Sequence, residues 1–400
     1  MSKKMAIINK IFLLFAIIIL LPTSTGCMAK KDRLLLPEDN EEKIVHVDVQ
    51  LDDKQIGTDN KEDLILTDEG TDLKPVKKVA YEGSVQHIFF HPLIAFPELA
   101  FDGDRMEKGY NDYFVTVDEF NKVIKSLYEK DFILVDINSL IEEIEEDGNK
   151  VIKKKQLMLP EGKKPLIISI DDLNYYKYML ENGNVYKLIL DQDGNIATYS
   201  ITPQGDELIS RDNEIVPLLD KFVLEHPDFS HDGAKGVIAL TGYEGVLGYR
   251  TNKKDSPEFE KEKEGALKVI KHLKETGWTF ASHGYGHLDA SRVSKEKLVR
   301  DTRRWREEVG SLVGPTSIYI YPYGSRVLPG DPKFDVLVDE GFNILCAVGS
   351  GPYEKLAKRA YMQDRRHIDG IAFLTQRNRF LDLFDSAELV DPVRPKQIKE

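Results

Sequence analysis

The stretch Leu166-Ile-Ile-Ser-Ile-Asp171-Asp172 is an apolar run that closes in two neighbouring carboxylates. Its length and composition predict a buried strand. Successive side chains of a strand point to opposite faces, so one aspartate could face a metal ion while the other faces a substrate. Strand patterns like this one alternate with helix patterns along the chain. That rhythm predicts an α/β fold, with a parallel sheet or barrel whose functional side chains gather at the carboxyl ends of the strands.

Two segments show the helix pattern clearly. Thr116-x-x-Glu119 is a capping box, and apolar residues follow it at helical spacing. In the second segment, residues 266–273, apolar residues recur at the same helical spacing. Gly277 is predicted to end that helix. Each helix leads into a predicted strand, at residues 132–136 and 278–282 respectively.

Two histidines stand four positions apart after the second of these strands, in His283-Gly-Tyr-Gly-His287. Histidines at this spacing lie on the same side of a helical turn and can bind one ion. With one aspartate they make three ligands, which leave coordination positions open for water and a substrate oxygen. A divalent ion lowers the pKa of its water from about 15.7 towards 7 and polarises a carbonyl group. The pattern therefore indicates hydrolysis of an acyl group, with the other aspartate as the base.

A third motif, Tyr321-Pro-Tyr-Gly324, ends another apolar segment. Proline fixes φ and glycine allows a positive φ, so the motif predicts a turn. Each motif alone has a plain structural interpretation, because histidine pairs and aspartate pairs are common on protein surfaces. Their order, and their shared position at the ends of predicted strands, favour one common site.

Five stretches of the chain resemble, in order, those of the polysaccharide deacetylase family, which is built on the chitooligosaccharide deacetylase homology domain. They lie at residues 85–92, 115–132, 166–172, 277–289 and 317–324. The resemblance spans residues 85 to about 370. It implies a distorted (β/α) barrel with fewer strands than the eight-stranded form, and a metal-dependent hydrolase of the carbohydrate esterase type.

The resemblance also implies a role for each matching residue. Asp171 corresponds to the general base, and Asp172, His283 and His287 correspond to the ligands of a divalent metal ion. Zinc is the expected metal, with cobalt and nickel as alternatives. Tyr323 corresponds to a cleft residue whose backbone N–H helps to hold the oxyanion.

The chain departs from the family pattern beside these residues. Leu173-Asn-Tyr-Tyr176 follows the two aspartates, where the family usually has glycine, so the rim of the site must be shaped differently. Ile320 stands where many members carry an arginine that tunes the base. We expect a cation from residues 365–369 to replace it, and Arg366 is the candidate.

The family's late Leu-x-His motif, which supplies a general acid, is not legible in this sequence. His91 and His367 are then the candidates for protonating the leaving amine. The alternative interpretation of both is that they are structural hydrogen-bonding residues.

The amino terminus has the pattern of an export signal. Lys3, Lys4 and Lys10 precede an unbroken apolar run at residues 11–21, which is short for a membrane span and typical of a signal-peptide core. Small residues precede Cys27, as in bacterial lipoproteins, so residues 1–27 are predicted to be a lipoprotein signal with Cys27 as the lipidated residue. We expect a lipid-anchored, extracytoplasmic protein on the bacterial cell membrane. An ordinary signal peptide is the alternative.

The rest of the chain divides into a tether and one catalytic domain. Residues 28–81 are rich in acidic residues and lysine and predict a flexible acidic tether, with a small strand pair possible near 44–66. Residues 82–390 are the predicted deacetylase domain. A β-hairpin and a possible third strand at about 183–212 interrupt its βα rhythm, and this insertion is expected near the rim of the site. The net charge of −13 disfavours nucleic-acid binding.

The leading hypothesis is removal of N-acetyl groups from an amino-sugar polysaccharide at the cell surface, either peptidoglycan or poly-N-acetylglucosamine. The alternatives are a non-catalytic glycan-binding lipoprotein on the same scaffold and an O-acetyl sugar esterase. A solute-binding lipoprotein would leave the metal ligands unexplained. The sequence indicates a glycan polymer and a membrane as partners, and it allows no inference about a protein partner.

Overall fold

A computed structural model describes residues 77–395 of the 400-residue chain. The predicted signal peptide, Cys27, the strand pair near 44–66 and most of the predicted tether lie outside the described residues. Within residues 77–395, no helix combines the length and the apolar composition that crossing a bilayer requires.

The strands of the described part follow one another in chain order. They are β1 (Lys78–Ala80), β2 (Gln86–Phe90), β3 (Phe132–Leu134), β4 (Ile141–Glu146), β5 (Asn149–Lys154), β6 (Met158–Pro160), β7 (Lys164–Asp171), β8 (Lys187–Leu190), β9 (Ile196–Ile201), β10 (Glu207–Ser210), β11 (Val237–Leu240), β12 (Thr279–Ser282), β13 (Ile318–Ile320), β14 (Ile344–Val348), β15 (Glu354–Ala357) and β16 (Ala360–His367).

The α-helices are interspersed among these strands. They are α1 (Pro97–Ala100), α2 (Glu107–Tyr113), α3 (Val117–Glu129), α4 (Lys177–Glu181), α5 (Ile215–Glu225), α6 (Phe259–Glu275), α7 (Lys295–Trp305), α8 (Ser311–Val313), α9 (Pro332–Asp339), α10 (Gly370–Thr375) and α11 (Ser386–Leu389). A π-helical segment, Arg306–Gly310, joins α7 to α8.

Seven parallel strands of the described chain close into a barrel. Their order around it is β2, β7, β11, β12, β13, β14 and β16, and β16 pairs with β2 again. Helices surround the barrel, so the fold is a (β/α) barrel with fewer than eight strands, as the resemblance implies. The predicted fold class is confirmed.

Strand β7, which contains the apolar run Leu166–Ile170, lies at the centre of this arrangement. It pairs along its length with β2, and its other edge pairs first with β3 and then with β11. All its residues after Lys164 are buried. A strand covered on both faces needs apolar residues at successive positions, which explains the unbroken run from Leu166 to Ile170.

The two predicted helices are present with their predicted ends. Thr116 caps α3: its hydroxyl accepts from the Glu119 backbone N–H, and the Glu119 carboxylate accepts from the Thr116 N–H at 2.9 Å. The apolar residues of α6 at the predicted helical spacing, Ala266, Val269, Ile270 and Leu273, are buried. Gly277 follows α6 with a φ of 96°, in the left-handed region where a side chain would be strained.

The insertion forms a small antiparallel sheet. Strand β9 pairs with β8 on one side and with β10 on the other, so the predicted hairpin is present and the possible third strand also forms.

The chain enters the domain at the amino-terminal end of the barrel strands. Strand β1 pairs with β6, and the Glu161 backbone N–H donates to the Lys77 carbonyl, three residues before β7 begins at Lys164. The structural domain therefore already includes residues 77–81, which the sequence analysis assigns to the tether.

The domain also extends past the predicted boundary at residue 390. Arg394 is buried, and its guanidinium pairs with the fully buried carboxylate of Glu119 on α3. It donates as well to the backbone carbonyl of Phe114 at 2.7 Å. The last described residues thus fasten the end of the chain to α3.

Candidate active site

The three sequence motifs meet in one cleft at the carboxyl ends of the barrel strands. The cleft has a volume of about 630 Å3. Asp171 ends β7, His283 follows β12, and Tyr321 follows β13. Each predicted polar site residue except Arg366 lines this cleft: His91, Asp171, Asp172, His283, His287, Tyr323 and His367. Among the described residues that line it, none comes from β8, β9 or β10, so the insertion sheet is not a wall of the cleft.

The two aspartates reach the cleft by different backbone geometries. Asp171 is the last residue of β7 and faces into the barrel. Asp172 has a φ of 59°, which turns the chain so that its side chain also lines the cleft. A non-glycine residue in this region is strained and is typical of functional sites. The two side chains are therefore separated by this turn and not by the alternation of a strand.

Asp171 forms a bidentate ion pair with Arg365 of β16. Its Oδ1 and Oδ2 accept from Nη1 and Nη2 at 2.6 and 2.9 Å. Both side chains are almost fully buried. Burial by itself raises the pKa of Asp171, but the Arg365 guanidinium and then His283 hold the pKa well below its usual range. Asp171 is therefore an ionised carboxylate that can accept a proton.

The prediction that Arg366 supplies this cation is wrong by one position in the sequence. Arg366 is buried on the other face of β16, where it pairs with Asp382 at 2.7 Å. Neighbouring residues of a strand point to opposite faces, so Arg365 faces the cleft together with His367 while Arg366 cannot. Arg365 takes the place expected of Arg366.

Arg365 belongs to a buried hydrogen-bond network that also contains Ser169, His87 and Gln363. Its Nη1 donates to Ser169 Oγ at 3.1 Å, and Ser169 Oγ lies 3.0 Å from Nε2 of His87. Nδ1 of His87 donates to Oε1 of Gln363 at 2.9 Å. Burial and the nearby Arg365 lower the pKa of His87 to about 3, so its ring is neutral and can accept from the serine hydroxyl.

This network is not among the sequence predictions, although one residue of β7 indicates it. Ser169 is the single polar residue in the apolar run of β7, two positions before Asp171. Residues two apart on a strand share a face, so a serine there points towards the same interior as Asp171.

Asp172, His283 and His287 form a group that could hold one metal ion. One oxygen of Asp172 and one ring nitrogen of each histidine lie within 4.8 Å of one another. The Nδ1–H of His283 donates to the carbonyl of Ile320 at 2.9 Å, which leaves Nε2 with its lone pair free for a ligand bond. An orienting hydrogen bond of this kind is typical of histidine ligands, so the residues fit a metal with two nitrogen donors and one oxygen donor.

The loop between the two histidines is irregular and not the helical turn that their spacing predicts. Its shape depends on Asp301 of α7, whose carboxylate accepts from the backbone N–H groups of Tyr285 and Gly286, both at 2.8 Å. Gly284 has a φ of 65° and His287 a φ of 51°. The ring centroids of His283 and His287 are 4.9 Å apart.

The electrostatics of the site keep the second histidine neutral. Burial and the neighbouring His283 lower the pKa of His287 to about 4. A neutral imidazole is the form that binds a metal, so protons compete for this ligand only in acid.

Tyr323 lies at the mouth of the cleft, in a short turn after β13. Its side chain is 70% exposed, and its ring meets the His287 ring edge to face at a centroid distance of 4.6 Å. A φ of 59° confirms the predicted turn and projects this side chain outward.

The two candidates for the general acid both line the cleft. Nδ1 of His91 donates to the carbonyl of Tyr113 at 3.1 Å, which fixes its ring. Nε2 of His367 is buried without a hydrogen-bond partner and lies 3.9 Å from Oδ1 of Asp369. Their expected role stays a prediction.

Two solved structures are similar to this chain over part of their length. Deacetylase PplD of Streptococcus pyogenes, solved in complex with acetate, is 12% identical; the alignment covers 76% of this chain and 98% of that one, with a TM-score of 0.42. A structure from Mycobacterium smegmatis that is assigned to the polysaccharide deacetylases is 17% identical over 38% of this chain and 45% of that one, with a TM-score of 0.26. Both scores are too low to carry an argument about this site.

No curated protein matches the sequence. The sequence model of the family described as "Polysaccharide deacetylase" matches residues 251–329. This segment contains His283, His287 and Tyr323, which line the cleft together with the two aspartates. Over residues 251–329, about a fifth of its length, the chain is therefore similar to the polysaccharide deacetylase family.

Proposed function

We propose that the protein removes N-acetyl groups from an amino-sugar polysaccharide, peptidoglycan or poly-N-acetylglucosamine, with the help of a divalent metal ion. One observation carries the proposal. An ionised buried aspartate, Asp171, lines the same cleft as three metal-type ligands, Asp172, His283 and His287. A base next to a metal site with open positions is the arrangement that amide hydrolysis requires.

The metal that these ligands would hold is zinc in the first instance, with cobalt and nickel as alternatives. When bound, such an ion polarises the carbonyl oxygen and makes water more acidic. Asp171 then takes a proton from the attacking water, and Arg365 keeps the carboxylate in the orientation that this transfer needs. The leaving amine receives a proton from Asp171 or from one of the cleft histidines, His91 and His367.

The walls of the cleft support a sugar substrate. Tyr113, Tyr178 and Tyr323 line it with side chains that are 52%, 38% and 70% exposed. Exposed aromatic rings offer an apolar face and a polar hydroxyl, which suits the alternating surfaces of a sugar ring. A long glycan could lie across such a rim with one N-acetyl group inserted towards Asp171.

The proposed location is the outer face of the bacterial membrane, with the chain anchored through lipidated Cys27. The support is the apolar run at residues 11–21 and the small residues before Cys27. Mass spectrometry of the membrane fraction tests it, because lipidation would start the mature chain at Cys27 with added acyl mass. A mature chain that starts elsewhere would contradict the anchor without affecting the chemistry.

The experiment that tests the activity is acetate release from chitooligosaccharides, poly-N-acetylglucosamine and peptidoglycan. The chain is stripped with a chelator and reconstituted with zinc, cobalt or nickel. Metal-dependent release from one of these glycans is the expected result. Release from O-acetylated sugars alone would identify an esterase, and tight binding of one ion without release from any substrate would favour the glycan-binding alternative.

A further inference from the structure

The metal-type ligand Asp172 has a fixed hydrogen-bond partner. The hydroxyl of Tyr176 donates to Oδ1 of Asp172 at 2.6 Å, and the same hydroxyl oxygen lies 2.6 Å from Oγ1 of Thr241. An ionised carboxylate can only accept, so the single proton of Tyr176 is committed to Asp172. The Thr241 hydroxyl must then donate to Tyr176. The result is a one-directional chain of hydrogen bonds from Thr241 through Tyr176 to Asp172.

We propose that Tyr176 is a positioning residue for the metal site, which holds Asp172 so that it offers the ion one oxygen and not two. The proposal rests on the metal dependence proposed above. Oδ1 is engaged by Tyr176, while Oδ2 is the oxygen that lies nearest His287, 3.7 Å from Nε2. A single carboxylate oxygen and two imidazole nitrogens leave more of the coordination sphere to water and substrate than a chelating carboxylate would.

The surroundings of Tyr176 make it rigid enough for this task. Its side chain is 2% exposed, and its ring stacks on Tyr243 at a centroid distance of 4.8 Å with the planes 13° apart. Thr241 is fixed in turn by Asn174, whose side chain accepts from the Thr241 N–H at 3.1 Å and donates to the Thr241 carbonyl at 2.9 Å. Tyr176, Thr241 and Asn174 are all buried, so water does not compete for their hydrogen bonds.

The network also accounts for the residues that replace glycine after the two aspartates. The strained backbone at Asp172 leads directly into the segment that carries Asn174 and Tyr176. Both side chains turn back towards the end of β11, where Thr241 follows Leu240. This segment therefore ties the metal ligand of one barrel strand to its neighbour in the sheet.

The test compares zinc affinity in the full-length chain by chelator competition. Tyr176→Phe removes the hydroxyl and keeps the stacking ring, and we expect zinc to bind roughly 10- to 100-fold more weakly. Thr241→Val should weaken binding less, because Tyr176 remains, and Thr241→Ser should restore it by replacing the hydroxyl. Tyr128→Phe is the matched control: it removes a tyrosine hydroxyl that donates to Asp228 outside the cleft, and it should leave zinc affinity unchanged.

A spectroscopic measurement separates positioning from a general loss of structure. In the cobalt-loaded chain, Tyr176→Phe frees Oδ1, so the coordination number should rise and the visible absorption of the ion should weaken. Thr241→Ser should keep the wild-type spectrum. An affinity within twofold of wild type together with an unchanged cobalt spectrum in Tyr176→Phe would overturn the proposal.

Two further measurements make each outcome decisive. Thermal unfolding of the metal-free variants shows whether the fold is intact, and the Thr241 variants carry the test if Tyr176→Phe does not fold. Asp172→Ala reports on the metal site itself. Zinc binding that survives Asp172→Ala would refute the metal site, whereas binding lost in Asp172→Ala but unchanged in Tyr176→Phe would refute only the role of Tyr176.

Discussion

Arg365 places its two terminal nitrogens on the two carboxylate oxygens of Asp171, at 2.6 and 2.9 Å, inside a barrel where both side chains are almost fully buried. The pairing fixes the plane of the carboxylate as well as its charge. Arg365 thus supplies the cation that the sequence resemblance leads one to expect beside the base. In this chain the cation comes from β16, which β14 separates from β13.

Arg365→Lys should lower turnover by about 100-fold, because a lysine cannot make the planar bidentate contact that orients Asp171. Arg366→Lys is the matched comparison one residue away. It breaks the pair with Asp382 on the outer face and should lower stability while turnover per folded molecule stays near wild type. Acetate release normalised to the folded fraction measures both. Equal losses of turnover in the two variants would contradict the assignment of Arg365.

Asp171→Asn should retain bound zinc and lose turnover by about 100- to 10,000-fold, because the base is removed while Asp172, His283 and His287 remain. His283→Ala should lose both zinc and turnover. Metal content by atomic absorption and acetate release on the same preparation separate the two effects. Wild-type turnover in Asp171→Asn would exclude it as the base.

Glu214→Gln should remove a part of the pH dependence of stability. Glu214 is fully buried before α5, and burial raises its pKa to about 8, although backbone N–H groups of Ile215 and Leu93 donate to its carboxyl. The folded chain then holds a proton that the unfolded chain releases near pH 4.5. The stabilisation is complete below that pH and is lost as pH rises through about 8.

Urea unfolding at pH 5 and pH 9 measures the effect. The wild-type chain should lose on the order of 3 kcal/mol more than Glu214→Gln between these values, because a glutamine can keep accepting from the two N–H groups without titrating. Parallel pH profiles of the two proteins would show that Glu214 is already ionised in the folded state.

A chain that ends at residue 390 should be less stable by about 3–5 kcal/mol than one that ends at 396. The shorter chain lacks Arg394 and leaves the carboxylate of Glu119 buried without its cation. Thermal unfolding of the two chains is the measurement, and Glu119→Gln in the shorter chain should recover part of the loss. Equal melting temperatures would show that the end of the domain adds no stability.

Much of this architecture follows from local sequence patterns. The capping box at Thr116, the glycine after α6 and the apolar run of β7 each specify their element through contacts within a few residues. The metal-type ligands follow from residue type and spacing, since Asp172 and His283 each stand directly after a strand and His287 follows four residues later.

Local sequence patterns do not predict contacts between residues that are far apart in the chain. The helical turn expected between His283 and His287 is absent because Asp301, on a later helix, holds the loop in another shape. Whether Arg365 or Arg366 reaches Asp171 depends on which face of β16 points into the barrel. That choice was partly accessible, because neighbours on a strand cannot both face the cleft, and His367 and Arg366 could not both be site residues.

The pairing of β1 with β6 fixes the position of residue 77 relative to the cleft. It brings residue 77 beside the beginning of β7, whereas Asp171 stands at the far end of that eight-residue strand, roughly 23 Å away at the usual rise per residue. Residue 77 therefore lies at the end of the barrel opposite the cleft. None of residues 77–81 lines the cleft, so the mouth of the cleft stays clear of the amino-terminal end of the described domain.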